Sequence, residues 1–406
     1  MEKVILINAS SQETRVAILE DGRLMEIYYE GPTHGRTVGN IYVGVVKDIL
    51  SGLGSAFVDV GLDQNLFLSQ KELNDALLQS QGFRRGAEVP IQKVLRPGQR
   101  LIVQVKREGI GAKNPQGTTR IALPGRFWVF LPKDGRLGVS RRIEERREIR
   151  RLKRIAMELK RPHEGLIART ASEGAERKDL ERDFNFLLGT WKGIEEEAER
   201  SSRPKLLHEG PGLVKRIIRD RLLEDVSRVI VDSEAVYREI LGFLDYMWMG
   251  EYKDTIELYR EKRPLFEQWD VERQLRESRS PEVKLEAGGT LVIAETEALT
   301  AIDVNTRGDV HHRNQEAAIL NTNLEAAREI PRQLRLRKIS GIIIVDFVDM
   351  KRRDSLEKVI AQLKEELKKD RVTTDFIDVT ALGLVEITRK REERSLAAAL
   401  EEEEDL

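Results

Sequence analysis

The sequence predicts a mixed α/β (α+β) protein of several subdomains, and three observations carry that expectation. At roughly 150 residues per domain, 406 residues are too many for one ordinary core. Short strands punctuated by glycine turns crowd residues 40–106, the pattern of a small closed barrel. Towards the C-terminus the element order is β-β-α-β-α-β, which points to a sheet with helices packed on it. The charge is balanced, with 69 Lys and Arg against 70 Asp and Glu, so any binding of polyanions must come from where charge is placed. The absence of cysteine excludes disulfides, thiolate metal sites and cysteine nucleophiles. The first residues lack a signal-peptide pattern, and no run of about 18 apolar residues occurs, so no membrane partner and a cytoplasmic location are the expectation.

Taken in order, residues 4–7 are an apolar strand. Residues 14–19 alternate towards the turn dipeptide Asp21-Gly22, which leads into a strand over 24–29. Strands over 40–49, 55–60, 65–68 and 98–106 make the barrel, with Tyr42, Phe57 and Phe67 at strand positions, Lys47 and Lys106 beside them and Lys113 in a glycine-rich loop. Aromatics and lysines on a barrel face suit single-stranded nucleic acid, since every base offers a face and every phosphate a charge. The same aromatics equally suit a barrel core. Residues 121–131 read as one strand, 141–160 as a basic helix, and 165–170 as a short strand ending in two polar groups. Residues 179–200, 214–223 and 233–249 are helical, and 276–284, with Ser280-Pro281, is a linker. Strands at 290–295 and 299–304 precede a helix over 321–336 that Pro331 should kink. Residues 342–345 form a continuous β-branched run expected to be buried on both faces. Asp354-Ser355 caps a helix to 370, before strands at 372–379 and 384–389.

Two carboxylates stand out by position, because Asp303 and Asp346 each follow an apolar strand. Strand alternation points Asn305 the same way as Asp303. Asp/Asn/Asp is a hard-oxygen set suited to Mg²⁺, which takes one or two carboxylates and keeps several waters. The same acids could instead be strand caps or ion-pair partners of the helix carrying Arg332, Arg335, Arg337 and Lys338. That acid-free cationic run is itself a candidate RNA-facing patch, whereas the Arg/Glu-rich stretch 141–154 is either such a patch or a solvated helix face. His311-His312 lacks a third ligand, and no Gly-Lys-Ser/Thr supports a P-loop.

Four motifs closely resemble the ribonuclease E/G family: Leu299-Thr-Ala-Ile-Asp303-Val-Asn305, Asn321-Thr-Asn-Leu-Glu-Ala-Ala327, Arg332-Gln-Leu-Arg-Leu-Arg337 and Gly341-Ile-Ile-Ile-Val-Asp346. Gly39-Asn-Ile-Tyr42 and Ala56-Phe57-Val-Asp59-Val-Gly61 resemble its S1 domain. Gly138-Val-Ser-Arg-Arg-Ile143 also fits, and Gly165-Leu-Ile-Ala-Arg169-Thr170-Ala171 resembles its 5′-phosphate sensor. The resemblance implies an RNase H-like subdomain split between residues 1–35 and 214–278, with an OB-fold S1 barrel (36–119) and a sensor region (120–213) inserted. A deoxyribonuclease-I-like catalytic subdomain (279–391) and an acidic tail (392–406) follow.

The resemblance further implies a Mg²⁺-dependent endoribonuclease, with Mn²⁺ as a substitute cation. It would cut single-stranded AU-rich RNA to 5′-phosphate and 3′-hydroxyl ends in RNA processing or decay, preferring 5′-monophosphorylated substrates. Asp303 and Asp346 would hold the metal and Asn305 would orient water or the scissile phosphate. Phe57, Phe67 and Lys113 would grip RNA, and Gly125, Val129, Arg169 and Thr170 would form the 5′-phosphate pocket. The family's zinc link needs cysteines that this sequence lacks, so no zinc is expected; the resemblance implies a homodimer or tetramer, and a monomer stays open. The alternative from another class is an RNA-binding protein of the same fold with weak or no catalysis, and a third reading is a scaffold that keeps the fold alone.

Overall fold

The structure is a computed structural model that describes residues 2–31, 37–84, 87–109, 114–222, 226–306, 315–391 and 396. Lys113, His311, His312 and, apart from Leu396, the acidic tail lie outside the described residues. Among the described residues four sheets organise the chain, which is mixed α/β as the sequence predicts. The first has five strands in the order Ile256–Leu258, Val226–Val231, Lys3–Ala9, Thr14–Glu20, Arg23–Glu30. Asp21 and Gly22 both take positive φ (48° and 77°), the conformation of a tight hairpin turn. The opening strand pairs antiparallel with the second and parallel with Val226–Val231, more than two hundred residues on. Both faces of this sheet are covered. Ile5, Ile7, Val16 and Ile18 meet the helices Leu213–Arg221 and Glu234–Tyr246 on one side; Val4, Leu6, Ala17 and Leu19 meet Phe266, Leu275 and Leu336 on the other.

The expected barrel is present and closed. Strands Ile41–Leu50, Ser55–Asp59, Leu66–Ser69, Gln116–Thr118 and Arg100–Arg107 follow one another in space, and the last pairs back onto the first. Lys205–His208 adds a sixth strand alongside Ile41–Leu50. Next to it, a four-stranded sheet (Leu137–Val139, Gly165–Ala168, Trp128–Leu131, Leu123–Pro124) packs on helices Arg146–Leu159 and Arg177–Arg200. The single strand expected over 121–131 is in fact two short strands, interrupted by a turn at Gly125–Phe127. The expected linker at 276–284 is largely ordered: the helix Val271–Ser278 runs almost directly into the edge strand Glu282–Lys284, and the Pro281 carbonyl accepts from the N–H of Ile293.

The last sheet orders its strands Glu282–Lys284, Thr290–Glu295, Leu299–Asn305, Gly341–Asp346, Val385–Arg389, Thr374–Val379. The helix Gln315–Leu336, which runs through Pro331, crosses between the two parallel central strands and packs with Arg353–Lys368 on one face. Gly341–Asp346 is therefore buried on one face only. Ile343 and Val345 are fully enclosed, whereas Ile342 is 51% exposed, because among the described residues no helix layer covers the second face. The helix Arg353–Lys368 begins without a side-chain cap; Asp354 sits in its first turn instead.

The cationic run at 332–338 is not an open RNA-facing patch. Arg335 is buried and pairs with Glu26 (2.8 Å) and Glu20 (3.2 Å) of the first sheet. Arg332 pairs with Glu329 (2.6 Å) and donates to the Leu24 carbonyl (2.7 Å), and Arg23 reaches the same Glu329. Arg337 donates to the Ser280 carbonyl, and the Lys338 ammonium lies over the Tyr28 ring. These residues join the last sheet to the first. A buried arginine without such partners would be costly, so the pairing fixes their position.

Candidate active site

Strict alternation sends Thr300, Ile302 and Val304 into the core and Ala301, Asp303 and Asn305 out onto the uncovered face. On the adjacent parallel strand Ile343 and Val345 go in and Asp346 comes out. Asp303 and Asp346 are register partners, so the two carboxylates stand side by side on strands about 4.8 Å apart. Both are exposed, and among the described residues neither is ion-paired. The arginines of the 332–337 run, which could have neutralised them, are committed elsewhere. The amide Nδ2 of Asn305 donates to Asp303 Oδ2 (2.7 Å), which orients that carboxylate. The chain beyond Asp346 is held from beneath: Asn323, fully buried on the crossover helix, donates to the Val348 carbonyl (2.8 Å) and accepts from its N–H (3.1 Å). Asp349 is also exposed, past the strand end. No group of three or more His, Cys, Asp or Glu suited to a metal occurs among the described residues. Two adjacent, solvent-facing carboxylates are nonetheless the donor set that a hydrated Mg²⁺ fits, and they do not supply the nitrogen or sulfur ligands that a zinc site needs.

On the barrel, Phe57 and Phe67 are direct cross-strand partners, with ring centroids 6.1 Å apart at 69°. Both are half-buried. Tyr42, by contrast, belongs to the core, and its hydroxyl accepts from Asn40. Lys47 and Lys106 are ion-paired with Asp59 and Glu72.

The third cluster surrounds Arg169 and Thr170, just past the strand Gly165–Ala168. Arg169 Nη1 donates to the Gly125 carbonyl (2.6 Å), and its other terminal nitrogen pairs with Asp220. The Thr170 hydroxyl is 3.0 Å from that of Ser140. Val129 is half-buried between Pro124 and Ile167 in the sheet beneath. Asp183, fully buried, accepts backbone N–H bonds from Arg126 (3.1 Å), Phe127 (2.8 Å) and Trp128 (2.9 Å) and so builds the turn at Gly125. A Cβ on Gly125 would lie 2.5 Å from one of its oxygens, so the turn needs glycine there. Burial pushes the Asp183 carboxyl up against the pull of those three donors. Burial would also raise Asp220, but Arg219 and Arg169 outweigh it and hold the carboxyl at about 2. Arg169 is lowered by burial, and Asp220 opposes that shift.

Three supporting residues escaped the sequence reading. Asn323 lies inside the family-like motif of residues 321–327, where nothing local distinguishes it from its neighbours. Asp183 carries a readable signal, because it breaks the apolar stripe Leu180, Phe184, Leu187 of its helix. Asp220 carries none, since its partner Arg169 comes from a different part of the chain.

Residues 122–392 match the Ribonuclease E/G family. The chain is 38% identical to Ribonuclease G of Escherichia coli (strain K12) over 402 residues, covering 98% of this chain and 82% of that protein. The chain belongs to the ribonuclease E/G family. It is also 37% identical to Ribonuclease E of the same strain over 399 residues, 97% of this chain but 37% of that longer protein, and 35% identical to Ribonuclease E of Nostoc sp. over 401 residues. The family match spans both strands of the carboxylate pair, Asn323 and the Arg169 cluster, while the barrel precedes it. Among the described residues no helix is long and apolar enough to cross a membrane.

Proposed function

We propose that this ribonuclease E/G family member, an endoribonuclease acting on RNA, hydrolyses single-stranded AU-rich RNA in the cytoplasm with Mg²⁺ as cofactor and Mn²⁺ as a substitute. The observation that carries the reading is the in-register pair Asp303/Asp346, exposed and without a cationic partner among the described residues. Asp303 and Asp346 would hold the cation, and Asn305 steadies Asp303 while presenting its amide on the same face. When bound, Mg²⁺ supplies charge stabilisation for the phosphoryl oxygens and a more acidic water. The water oxygen bonds to phosphorus, the bond from phosphorus to the 3′-oxygen breaks, and a proton completes the 3′-hydroxyl, leaving the phosphate on the 5′ side of the downstream fragment. Phe57 and Phe67 stack bases on the barrel, with Lys113 supplying a phosphate contact. A purely RNA-binding role is disfavoured by the same acids, because two unneutralised carboxylates facing phosphates repel them by about 1 kcal/mol or more per close pair.

The preference for 5′-monophosphorylated RNA rests on Arg169 and Thr170. A guanidinium and a hydroxyl are suited to a phosphate dianion, while Gly125 and Val129 shape the floor. Asp220 occupies Arg169 in the free protein, so a terminal phosphate must compete with that carboxylate, and a 5′-hydroxyl cannot. The test is cleavage of matched 5′-monophosphate and 5′-hydroxyl oligonucleotides by the parent and by Thr170→Val, with the ends of the products mapped. The reading expects 5′-phosphate and 3′-hydroxyl ends and a parental preference for the monophosphate that narrows in the variant. Products with cyclic or 3′-phosphate ends would overturn the hydrolytic mechanism, and an unchanged preference would overturn the sensor.

A further inference from the structure

Between the first sheet, residues 142–144 and the end of the helix Arg353–Lys368 lies a cavity of about 420 Å³. Among the described residues its lining holds seven cationic side chains against three carboxylates, with Ile5 and Ile18 as the apolar groups. The carboxylates do not cancel the excess. Glu26 is taken by Arg221 and Arg335, and Glu20 by Arg335 and Lys3 (3.9 Å). Glu144 is exposed at the rim. Asp370 nearby is bound to Arg389 (2.7 Å). Arg142, Lys368 and Arg371 are left on the wall without an ion-pair partner among the described residues, and the hydrogen bond that Arg371 donates goes to the main-chain carbonyl of Asp220.

We propose that this cavity binds a small anion carrying two or more phosphates, such as pyrophosphate or the phosphate tail of a nucleotide, at a site separate from the Arg169–Thr170 pocket. Arg371 is half-buried while Arg142 and Lys368 are exposed at the mouth. Like charges crowded round one hollow repel, and a multiply charged oxyanion relieves that repulsion through forked arginine hydrogen bonds. Burial and the neighbouring Arg221 and Arg142 lower Arg371 to about 10, and burial with Arg221 lowers Arg142, which are the marks of crowded, under-neutralised cations. Among the described residues the lining has no aromatic group on which a base could stack, so the recognised chemistry is the phosphates. A cavity of this volume is at the lower end of the range for small-ligand sites. Asp220 separates the two pockets: its carboxylate faces Arg169 and Arg219, and its carbonyl faces Arg371.

The experiment is calorimetric titration of the full chain with pyrophosphate in metal-free buffer at fixed ionic strength, repeated with ADP and with a 5′-monophosphorylated oligonucleotide. Parent, Arg371→Gln, Lys368→Gln and Thr170→Val proteins are compared, and a thermal melt confirms that each folds. The expected result is one pyrophosphate per chain, an affinity weakened about tenfold in Arg371→Gln or Lys368→Gln, and parental affinity in Thr170→Val. Binding of ADP with a similar affinity would assign the site to nucleotide phosphate tails, and binding of pyrophosphate alone to the inorganic anion; either supports the proposal. No binding of pyrophosphate or ADP overturns it. So does an affinity lost in Thr170→Val and kept in the two cavity variants, which would place the anion in the Arg169 pocket, or binding by the oligonucleotide alone.

Discussion

Asp183 is a carboxylate on the apolar stripe of a helix, and it survives there because three backbone N–H groups of the Gly125–Trp128 turn converge on it. Removing it leaves three buried donors without an acceptor. Asp183→Ala should therefore lower stability by roughly 3 kcal/mol or more, read by urea unfolding; a change below about 0.5 kcal/mol, the usual range for a surface substitution, would contradict this role. Such residues are only half legible in a sequence. The acid interrupting Leu180, Phe184 and Leu187 can be seen, but the turn it serves lies more than fifty residues upstream. Asp303 and Asp346 were legible for the opposite reason, since each follows its own apolar strand and period-2 alternation sets its direction.

At the scale of elements, local pattern sufficed where alternation marked the buried face, and failed where the run was apolar throughout or where tertiary partners intervened. The strand Leu299–Asn305 alternates without exception, and the sequence predicts it over 299–304, one residue short. The run at 342–345 is apolar throughout, yet half of it faces solvent, because continuous hydrophobicity does not say how many helix layers cover a sheet. The strand expected over 121–131 is cut by a turn whose cause is the distant Asp183. That turn also carries the carbonyl that positions Arg169, and its glycine has no room for a methyl group. Gly125→Ala should displace the turn and lower the ratio of cleavage rates on 5′-monophosphate over 5′-hydroxyl RNA by about tenfold, on the order of 1.4 kcal/mol of transition-state binding. An unaltered ratio would show that the Gly125 turn does not shape the 5′ pocket.

Across the whole molecule, the arginines at 332–337 turn a cationic motif into a joint between the first and last sheets, and no local rule reveals it, since Glu20 and Glu26 lie about three hundred residues away. Glu26 is the centre of that joint. Burial would raise its carboxyl from 4.5, but Arg221, Arg335 and the Tyr28 hydroxyl hold it at about 2. A depressed carboxyl stabilises the fold above its unfolded value and loses that contribution as pH falls towards the folded value. Stability should thus fall by on the order of 3 kcal/mol from this group between pH 4.5 and 2. Glu26→Gln should melt lower at pH 7 and show a flatter pH profile across that window. Parallel profiles for the two proteins would contradict the assignment.

The central claim is that Asp303 and Asp346 together make the hydrolytic site. The measurement is cleavage of a single-stranded AU-rich RNA with Mg²⁺ by the parent, Asp303→Asn and Asp346→Asn, with RNA binding followed in parallel. The account predicts a loss of cleavage of about a hundredfold or more in each variant, RNA affinity equal to or tighter than the parent's, and loss of parental cleavage when the metal is chelated. Cleavage at the parental rate in either variant, or undiminished by the chelator, would contradict it.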